Sequence, residues 1–178
     1  LALKTSNTAF GVVDGLSLIG TQAEVQISAS PDQLRNCLKV LQMKCSEPTF
    51  DGFLIFVIGE NGMDLAQKFG LPSNQIIKIG NWIGPLLVKA AENGVKKLLL
   101  FGYHGKLVKL SGGIFHTHHH LADGRIEILT SIAVREGISR ELIHLISKST
   151  SVENALIEVE STHPEVVDLI WGRMAEEI

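Results

Sequence analysis

Histidines, lysines and glycines crowd into one stretch of the sequence, residues 97–125. Five histidines fall between His104 and His120, and imidazole nitrogens can bind a metal or exchange a proton near neutral pH. Lys106 and Lys109 stand among glycines, where their amines could pair with the carboxylates of a ligand. Glycine also allows the backbone to approach a ligand closely. The stretch therefore predicts either a metal site or a binding site for a carboxylate-rich small molecule.

The histidine spacing leaves a metal site incomplete. An extended chain would put His116, His118 and His120 on one face, whereas a helix would put His116, His119 and His120 there. Either set could give zinc three nitrogens, but no acidic or cysteine ligand is spaced to complete a known motif, and HEXXH is absent. We therefore predict no metal site of the protein's own and keep a metal-dependent enzyme as an alternative.

Composition narrows the class of protein. The chain has 178 residues, 45% of them hydrophobic and 20% charged, which is typical of a globular domain. Its net charge of −3 argues against a nucleic-acid partner. No apolar run approaches the roughly 20 residues of a membrane span and no signal peptide is recognisable, so we expect a cytoplasmic protein without a membrane partner. Cys37 and Cys45 fall on one predicted helix, too far apart for a disulfide, and should be reduced.

Short apolar runs alternate with helical patterns. The runs with the length and apolar character of buried strands are FLIFVI (53–58), IIKI (76–79) and LLLF (98–101). Around them we expect helices at 31–45 behind a capping box at Ser30, at 62–69, and at 82–93 with Asn81 as the cap. This order predicts an α/β fold, a parallel sheet with flanking helices like the open Rossmann sheet.

The remainder of the chain reads as helix. One helix should run from about Ala122 to Gly137 with Asp123 in its first turn, and Ser139 should open the next. Two more are predicted behind the capping boxes Thr150-x-x-Glu153 and Thr162-x-x-Glu165. Residues 1–30 have the β-branched, glycine-punctuated pattern of strands and turns. Because the sequence begins with leucine, we expect a single α/β domain excerpted from a longer chain, with residues 1–30 leading in from a preceding domain.

Glycine-rich turns follow all three predicted strands, at 59–62, 80–84 and 102–106. In an open parallel sheet, ligands bind at the carboxyl ends of the strands, where such turns lead into helices. None of the turns spells a dinucleotide fingerprint or a phosphate loop, and strand–helix turns often need glycine for packing alone. Trp82, inside the second turn, is predicted to pack rather than to stack on a ligand. Three such turns at one edge favour a binding site without naming its ligand.

Four blocks of sequence resemble, in order, the CbiD family of methyltransferases from anaerobic cobalamin biosynthesis. GKLVKLSGGIFHTHHHLADGRIEIL (105–129) is similar to the family's GKLVKLA-x-G-x-F-N/H-THS-x-x-ADAR-x-E, and KTSNTAFGVVDGLSLIGT (4–21) to its RT-x-N-x-x-x-GI-x-GG-x-SI-x-GT. FVIGENG (56–62) stands where the family has F-x-PGN-x-G, and IGNWIG (79–84) where it has SNFIG. The sequence departs from these patterns at Ile58, Glu60, His119 and Gly124, where the family has proline, asparagine, serine and alanine.

The resemblance implies an enzyme that uses S-adenosylmethionine to methylate carbon C-1 of cobalt-precorrin-5B, a cobalt-containing macrocycle with several carboxylates. For the methyl donor we expect contacts from the glycine turns, at Gly59, Asn61, Gly62, Gly80, Asn81 and Gly102. For the macrocycle we expect Gly105, Lys106, Lys109, Thr117 and Arg125, and for acid–base catalysis His118 and Asp123. A corrinoid-binding segment without activity of its own is a further alternative, and a homo-oligomer is left open.

Overall fold

The computed structural model describes residues 31–119 and 121–178. The predicted strand–turn segment 1–30, its CbiD-like block 4–21, the capping residue Ser30 and the predicted ligand position of His120 lie outside the described residues. The chain divides into two compact units, one made of residues 27–124 and 174–178 and the other of residues 1–26 and 125–173. The prediction of a single domain stays a prediction.

The first unit contains a parallel sheet of three strands. They are β1 (Phe53–Ile58), β2 (Ile76–Ile79) and β3 (Lys97–Gly102), in the spatial order β2-β1-β3. Ile58 at the end of β1 pairs with Ile79 of β2 and with Gly102 of β3. All three strands therefore end at the same edge, and the glycine turns that follow them start side by side.

Helices cover both faces of this sheet, as the alternation of β1 dictates. They are α1 (Pro31–Cys45), α2 (Glu60–Lys68), α3 (Ile83–Glu92) and α4 (His104–Ser111). Leu54, Phe56 and Ile58 pack in one core with α1 and α3, whereas Ile55 and Val57 pack in a second core with Ala66 of α2. The predicted α/β fold with a parallel sheet and flanking helices is confirmed.

Two helix starts in this unit differ from the prediction. Helix α2 begins at Glu60 rather than near residue 62, because Gly59, with a positive φ of 79°, ends the strand and turns the chain directly into the helix. Helix α3 begins at Ile83 behind Trp82, so Asn81 is not its cap. The side chain of Asn81 is used elsewhere.

The described part of the second unit, residues 125–173, is helical, as predicted for the C-terminal part of the chain. It contains α5 (Arg125–Arg135), α6 (Arg140–Lys148), α7 (Val152–Glu160) and most of α8 (Pro164–Glu177). The helices α5, α6 and α7 pack against one another, and each has a fully buried side chain: Leu129, Ile146 and Val159. None of the helices in the described ranges is long and apolar enough to cross a membrane.

The ends of these helices confirm one predicted cap and correct three other expectations. Ser139 caps α6, accepting a hydrogen bond from the Leu142 amide at 3.4 Å. The hydroxyl of Ser151, not of Thr150, caps α7. Helix α8 begins at Pro164, so Thr162 lies one residue before the cap position, and its hydroxyl donates to the Val159 carbonyl. Asp123 precedes α5, which starts at Arg125, because its carboxylate accepts from the Gly124 amide in a local turn.

Candidate functional site

Lys106 connects the three turns at the carboxyl edge of the sheet. It lies in the first turn of α4, after β3, together with Gly105. Its Nζ donates to Oδ1 of Asn81, after β2, at 3.1 Å. A Cβ placed on Gly59, after β1, would lie 3.6 Å from the same Nζ. One amine thus reaches residues from three segments that are far apart in the sequence.

Asn81 is the polar centre of this edge. It is 4% exposed, and its Oδ1 accepts from Lys106 and from the hydroxyl of Thr117, the latter at 3.0 Å. The amide of Thr117 also donates to the Asn81 carbonyl at 3.1 Å. Thr117 itself is 3% exposed. We call Asn81, Lys106 and Thr117 the lysine cluster, and it brings together three of the residues that the sequence assigned to the site.

The cation of Lys106 is held in a partly buried environment. Burial, with a further contribution from the nearby charge of Lys109, lowers the pKa of the Lys106 amine below its usual range. A desolvated ammonium gains strongly from an anionic partner, since the attraction is weakly screened there. The environment of the Lys106 amine therefore favours a negatively charged group as its partner.

Lys109 lies beneath the segment that follows α4. Its side chain is 2% exposed, and its Nζ donates to the carbonyl oxygens of Thr117 at 3.2 Å and Ala122 at 2.7 Å. The carboxylate of Asp123, which is 42% exposed, lies 3.9 Å away. These contacts give Lys109 a positioning role for residues 117–123. The expected contact of Lys109 with a substrate carboxylate stays a prediction, one that this burial disfavours.

Trp82 and His116 face each other across a short antiparallel bridge. The Gly84 amide donates to the Phe115 carbonyl at 3.0 Å, and the rings of Trp82 and His116 meet edge to face with centroids 4.4 Å apart. Burial lowers the pKa of the His116 imidazole, which is therefore neutral at pH 7. The sequence analysis considered His116 as a possible metal ligand and predicted that Trp82 packs rather than stacks on a ligand, and it assigned neither to ligand binding at this edge. The sequence feature that could have linked these residues to the site is their position, with Trp82 next to Asn81 and His116 next to Thr117.

The other histidines are arranged differently from a metal site. His118 is buried, and its ring centroid lies 6.5 Å from that of His116. His119 is exposed and stacks on His118 at 4.9 Å. Among residues 31–119 and 121–178 no group of three or more histidine, cysteine, aspartate or glutamate side chains could hold a metal.

Two of the glycines expected near the methyl donor are needed for packing. A Cβ on Gly102 would lie 2.9 Å from the Cβ of Ile58, and one on Gly62 would lie 3.0 Å from Cγ1 of Val57. At Gly80 an added Cβ would meet the amide end of the Gln33 side chain from α1, which is flexible and can move away. The interpretation that strand–helix turns need glycine for packing therefore holds at Gly62 and Gly102, and it does not exclude a ligand on their open side.

The remaining predicted residues lie at the rim of the edge or outside this unit. Asn61 is exposed in the first turn of α2, and Gly59 precedes it. Arg125 is the first residue of α5 and belongs to the helical unit. The structure thus places Gly59, Asn81, Gly102, Gly105, Lys106 and Thr117 close to one another at or beside the strand ends.

Comparison with known proteins agrees with the resemblance read from the sequence. Residues 116–178 match the family model described as CbiD, C-terminal domain. The chain is 80% identical over 177 residues to a cobalt-precorrin-5B C(1)-methyltransferase of Prochlorococcus marinus (strain NATL1A), covering 99% of this chain and 46% of that protein. It is 58% identical over 175 residues to the protein of the same name from P. marinus strain MIT 9313, an alignment that covers 98% of this chain and 46% of that protein. It is 55% identical over 175 residues to the protein of the same name from Synechococcus sp. (strain CC9902), an alignment that covers 98% of this chain and 48% of that protein. The chain therefore spans about half the length of these relatives. No solved structure matches it.

Proposed function

We propose that this chain is part of a methyltransferase that acts on carbon C-1 of cobalt-precorrin-5B in anaerobic cobalamin biosynthesis, since residues 116–178 match the family model described as CbiD, C-terminal domain. Relatives bearing that activity in their names align with 98–99% of the chain, at 55–80% identity. The methyl donor in this proposal is S-adenosylmethionine.

The proposal rests mainly on the position of the Lys106 amine. It lies at the carboxyl edge of a parallel sheet, where open α/β folds bind their ligands, and it reaches the turns after β1 and β2. A cobalt precorrin carries several acetate and propionate carboxylates. The partly buried ammonium supports the capture of one of them.

Methyl transfer from a sulfonium places modest chemical demands on the protein. The ring carbon forms a bond to the methyl group while the methyl–sulfur bond breaks, and S-adenosylhomocysteine leaves. Holding the two reactants in line at near-attack distance can contribute several kcal/mol, roughly 7–11 in favourable cases. The edge of a rigid sheet, with Gly59, Gly80 and Gly102 at the strand ends, supports such positioning. We propose that the donor lies over these turns, within reach of Asn61, Gly62 and Asn81.

The macrocycle in this proposal lies over α4 and the segment that follows it. Lys106, with Gly105 beside it, binds a carboxylate. The carboxylate contact expected of Arg125, which belongs to the helical unit, stays a prediction. Thr117 holds Asn81 in place for Lys106. Proton transfer on the macrocycle is assigned to His118 or Asp123, since both lie on the segment held by Lys109.

Both cysteines are free thiols, which supports a reducing compartment such as the cytoplasm. The described residues provide no group of three or more side chains that could hold a metal, and the metal-dependent enzyme stays an alternative prediction.

The proposal is tested on a full-length protein that contains this sequence. Calorimetric titration with S-adenosylhomocysteine should show one binding event per chain, and methyl transfer to a cobalt precorrin should be measurable with labelled donor. No binding of S-adenosylhomocysteine by the intact protein would overturn the proposal. Binding of the corrinoid without turnover would indicate the non-catalytic alternative.

The variant Lys106→Ala tests whether the Lys106 amine binds a carboxylate of the macrocycle. We expect its affinity for a carboxylate-bearing corrinoid to fall at least tenfold, while its affinity for S-adenosylhomocysteine stays within twofold. The control is Lys89→Ala on α3, where the lysine pairs with Glu92 on the surface. Equal corrinoid affinities in the two variants would remove the role of Lys106.

A further inference from the structure

Two side chains next to the lysine cluster carry buried polar atoms that the cluster does not use. These atoms are Nε1 of Trp82 and both ring nitrogens of His116, and none has a hydrogen-bond partner among the described residues. Buried donors and acceptors are rarely left unpaired, because each gives up water without compensation. Three such atoms on two touching side chains therefore indicate a partner outside the described residues.

The backbone holds these two side chains in place. Trp82 and His116 form the antiparallel bridge, and the hydrogen bonds of Gly84 to Phe115 and of Thr117 to Asn81 flank it. The approach is close enough that a Cβ on Gly84 would lie 3.1 Å from the Cβ of Phe115. The pair is thus fixed one residue away from Asn81 and from Thr117. A ligand at the lysine cluster would lie near it.

The chemistry of the pair selects among ligand groups. The indole of Trp82 only donates, whereas a neutral imidazole donates from one nitrogen and accepts at the other. Two donors and one acceptor are therefore available. A carboxylate could accept from both donors, but it would leave the imidazole acceptor unpaired. A vicinal diol, or the amino edge of a purine, offers both donors and acceptors and can pair with the indole donor and with an imidazole nitrogen in either role.

We propose that Trp82 and His116 form a hydrogen-bonding subsite for the nucleoside part of the methyl donor. This inference rests on the proposed methyltransferase function and deepens it. It places the donor on the β2 side of the edge, beside Asn81, and leaves the Lys106 amine for the macrocycle. The ring centroid of His118 lies 6.5 Å from that of His116.

The test uses three variants of the full-length protein. Trp82→Phe keeps an aromatic ring and removes only the donor, and His116→Leu removes both ring nitrogens. His116→Asn keeps one donor group and one acceptor. We expect the first two to weaken binding of S-adenosylhomocysteine about tenfold or more, and His116→Asn to retain most of the affinity. The affinity for a corrinoid with free carboxylates, such as cobyrinic acid, should stay within twofold in all three.

Two results would overturn the subsite. One is loss of corrinoid affinity with S-adenosylhomocysteine affinity unchanged, which would assign the pair to the macrocycle. The other is no change in either affinity. Failure of the wild-type protein to bind S-adenosylhomocysteine would instead contradict the proposed function itself.

A measurement on the wild-type protein removes any dependence on folding of the variants. The indole N–H resonance of Trp82, assigned by its absence in Trp82→Phe, should shift when S-adenosylhomocysteine saturates the protein. A resonance that stays in place at saturation contradicts the proposal. Adenosine alone should reproduce the shift, because the proposal assigns the pair to the nucleoside and not to the amino-acid part of the donor.

Discussion

The amine of Lys109 donates to the carbonyl oxygen of Ala122 at 2.7 Å, from a lysine side chain that is only 2% exposed. A second hydrogen bond, at 3.2 Å, runs to the carbonyl of Thr117. A buried charge is tolerated only with such partners. Lys109 therefore stabilises the segment that carries Thr117, His118 and Asp123, and its charge is largely committed within the protein.

We predict that Lys109→Met destabilises the chain by about 2–4 kcal/mol, because two carbonyl groups lose a charged donor. Urea unfolding followed by circular dichroism measures the loss. Lys89→Met is the matched control, since a surface ion pair such as Lys89–Glu92 contributes at most about 1 kcal/mol. Similar losses in the two variants would contradict the positioning role of Lys109.

Lys106→Met should have little effect on stability. The lowered pKa of Lys106 means that the folded state disfavours its charge, so the variant relieves a cost while it loses the hydrogen bond to Asn81. We expect the free energy of unfolding to change by less than about 1 kcal/mol.

The pH dependence of Lys106→Met gives a second test. In the wild-type protein the unfolded state binds the Lys106 proton more tightly than the folded state does. Stability therefore rises with pH up to the unfolded pKa of about 10.5. That rise should be smaller in Lys106→Met. Unfolding free energies that change in parallel from pH 7 to pH 10.5 would show that the charge of Lys106 carries no penalty.

We predict that the free energy of unfolding falls between neutral pH and mild acid because His116 takes up a proton more readily in the unfolded state. Its folded pKa is lowered by burial, so the unfolded state takes up the proton first as the pH falls through about 6.5. Stability from this residue is present above that pH and is lost below it. His116→Asn should flatten the dependence between pH 7.5 and pH 5 in urea titrations. The comparison with the variant is needed because His118, close by, is also titratable. Identical slopes in the two proteins would contradict the prediction.

Gly102→Ala should destabilise the first unit by about 1–3 kcal/mol, because the new methyl group would lie 2.9 Å from Cβ of Ile58 in the neighbouring strand. The control is Gly172→Ala in α8, where no atom lies within 4 Å of the added Cβ. There the helix should gain about 0.5–1 kcal/mol. Thermal unfolding separates the two expectations by sign, and a neutral Gly102→Ala would show that β1 and β3 can move apart without penalty.

The fold could be predicted from the sequence because its signals are local. The apolar run FLIFVI gives β1 its observed bounds, and the spacing of Leu34, Cys37 and Leu41 gives α1. The helix starts that were predicted wrongly depend on the exact residue at which the chain enters the helix. Thr150 and Ser151 are adjacent hydroxyl residues, and only the observed entry geometry selects Ser151 as the cap.

The candidate site was less predictable because its partners are distant. Asn81 resembled a helix cap locally, yet its side chain binds residues 25 and 36 positions away. Lys109 was expected to bind a substrate carboxylate, since nothing in the sequence announces the carbonyl groups that hold it. The position of Lys106 at the sheet edge could be predicted because glycine turns after three parallel strands must meet at one edge, and its role there stays a prediction.

The bridge between Trp82 and His116 has a consequence for how tightly the site can bind. Two backbone hydrogen bonds connect the turn after β2 to the segment after α4 at this bridge. The lysine cluster therefore keeps a fixed distance from Trp82 and His116. Groups that are already immobile lose little conformational entropy when a ligand arrives. The site is preorganised, and its selectivity follows from a spacing that is set before any ligand is present.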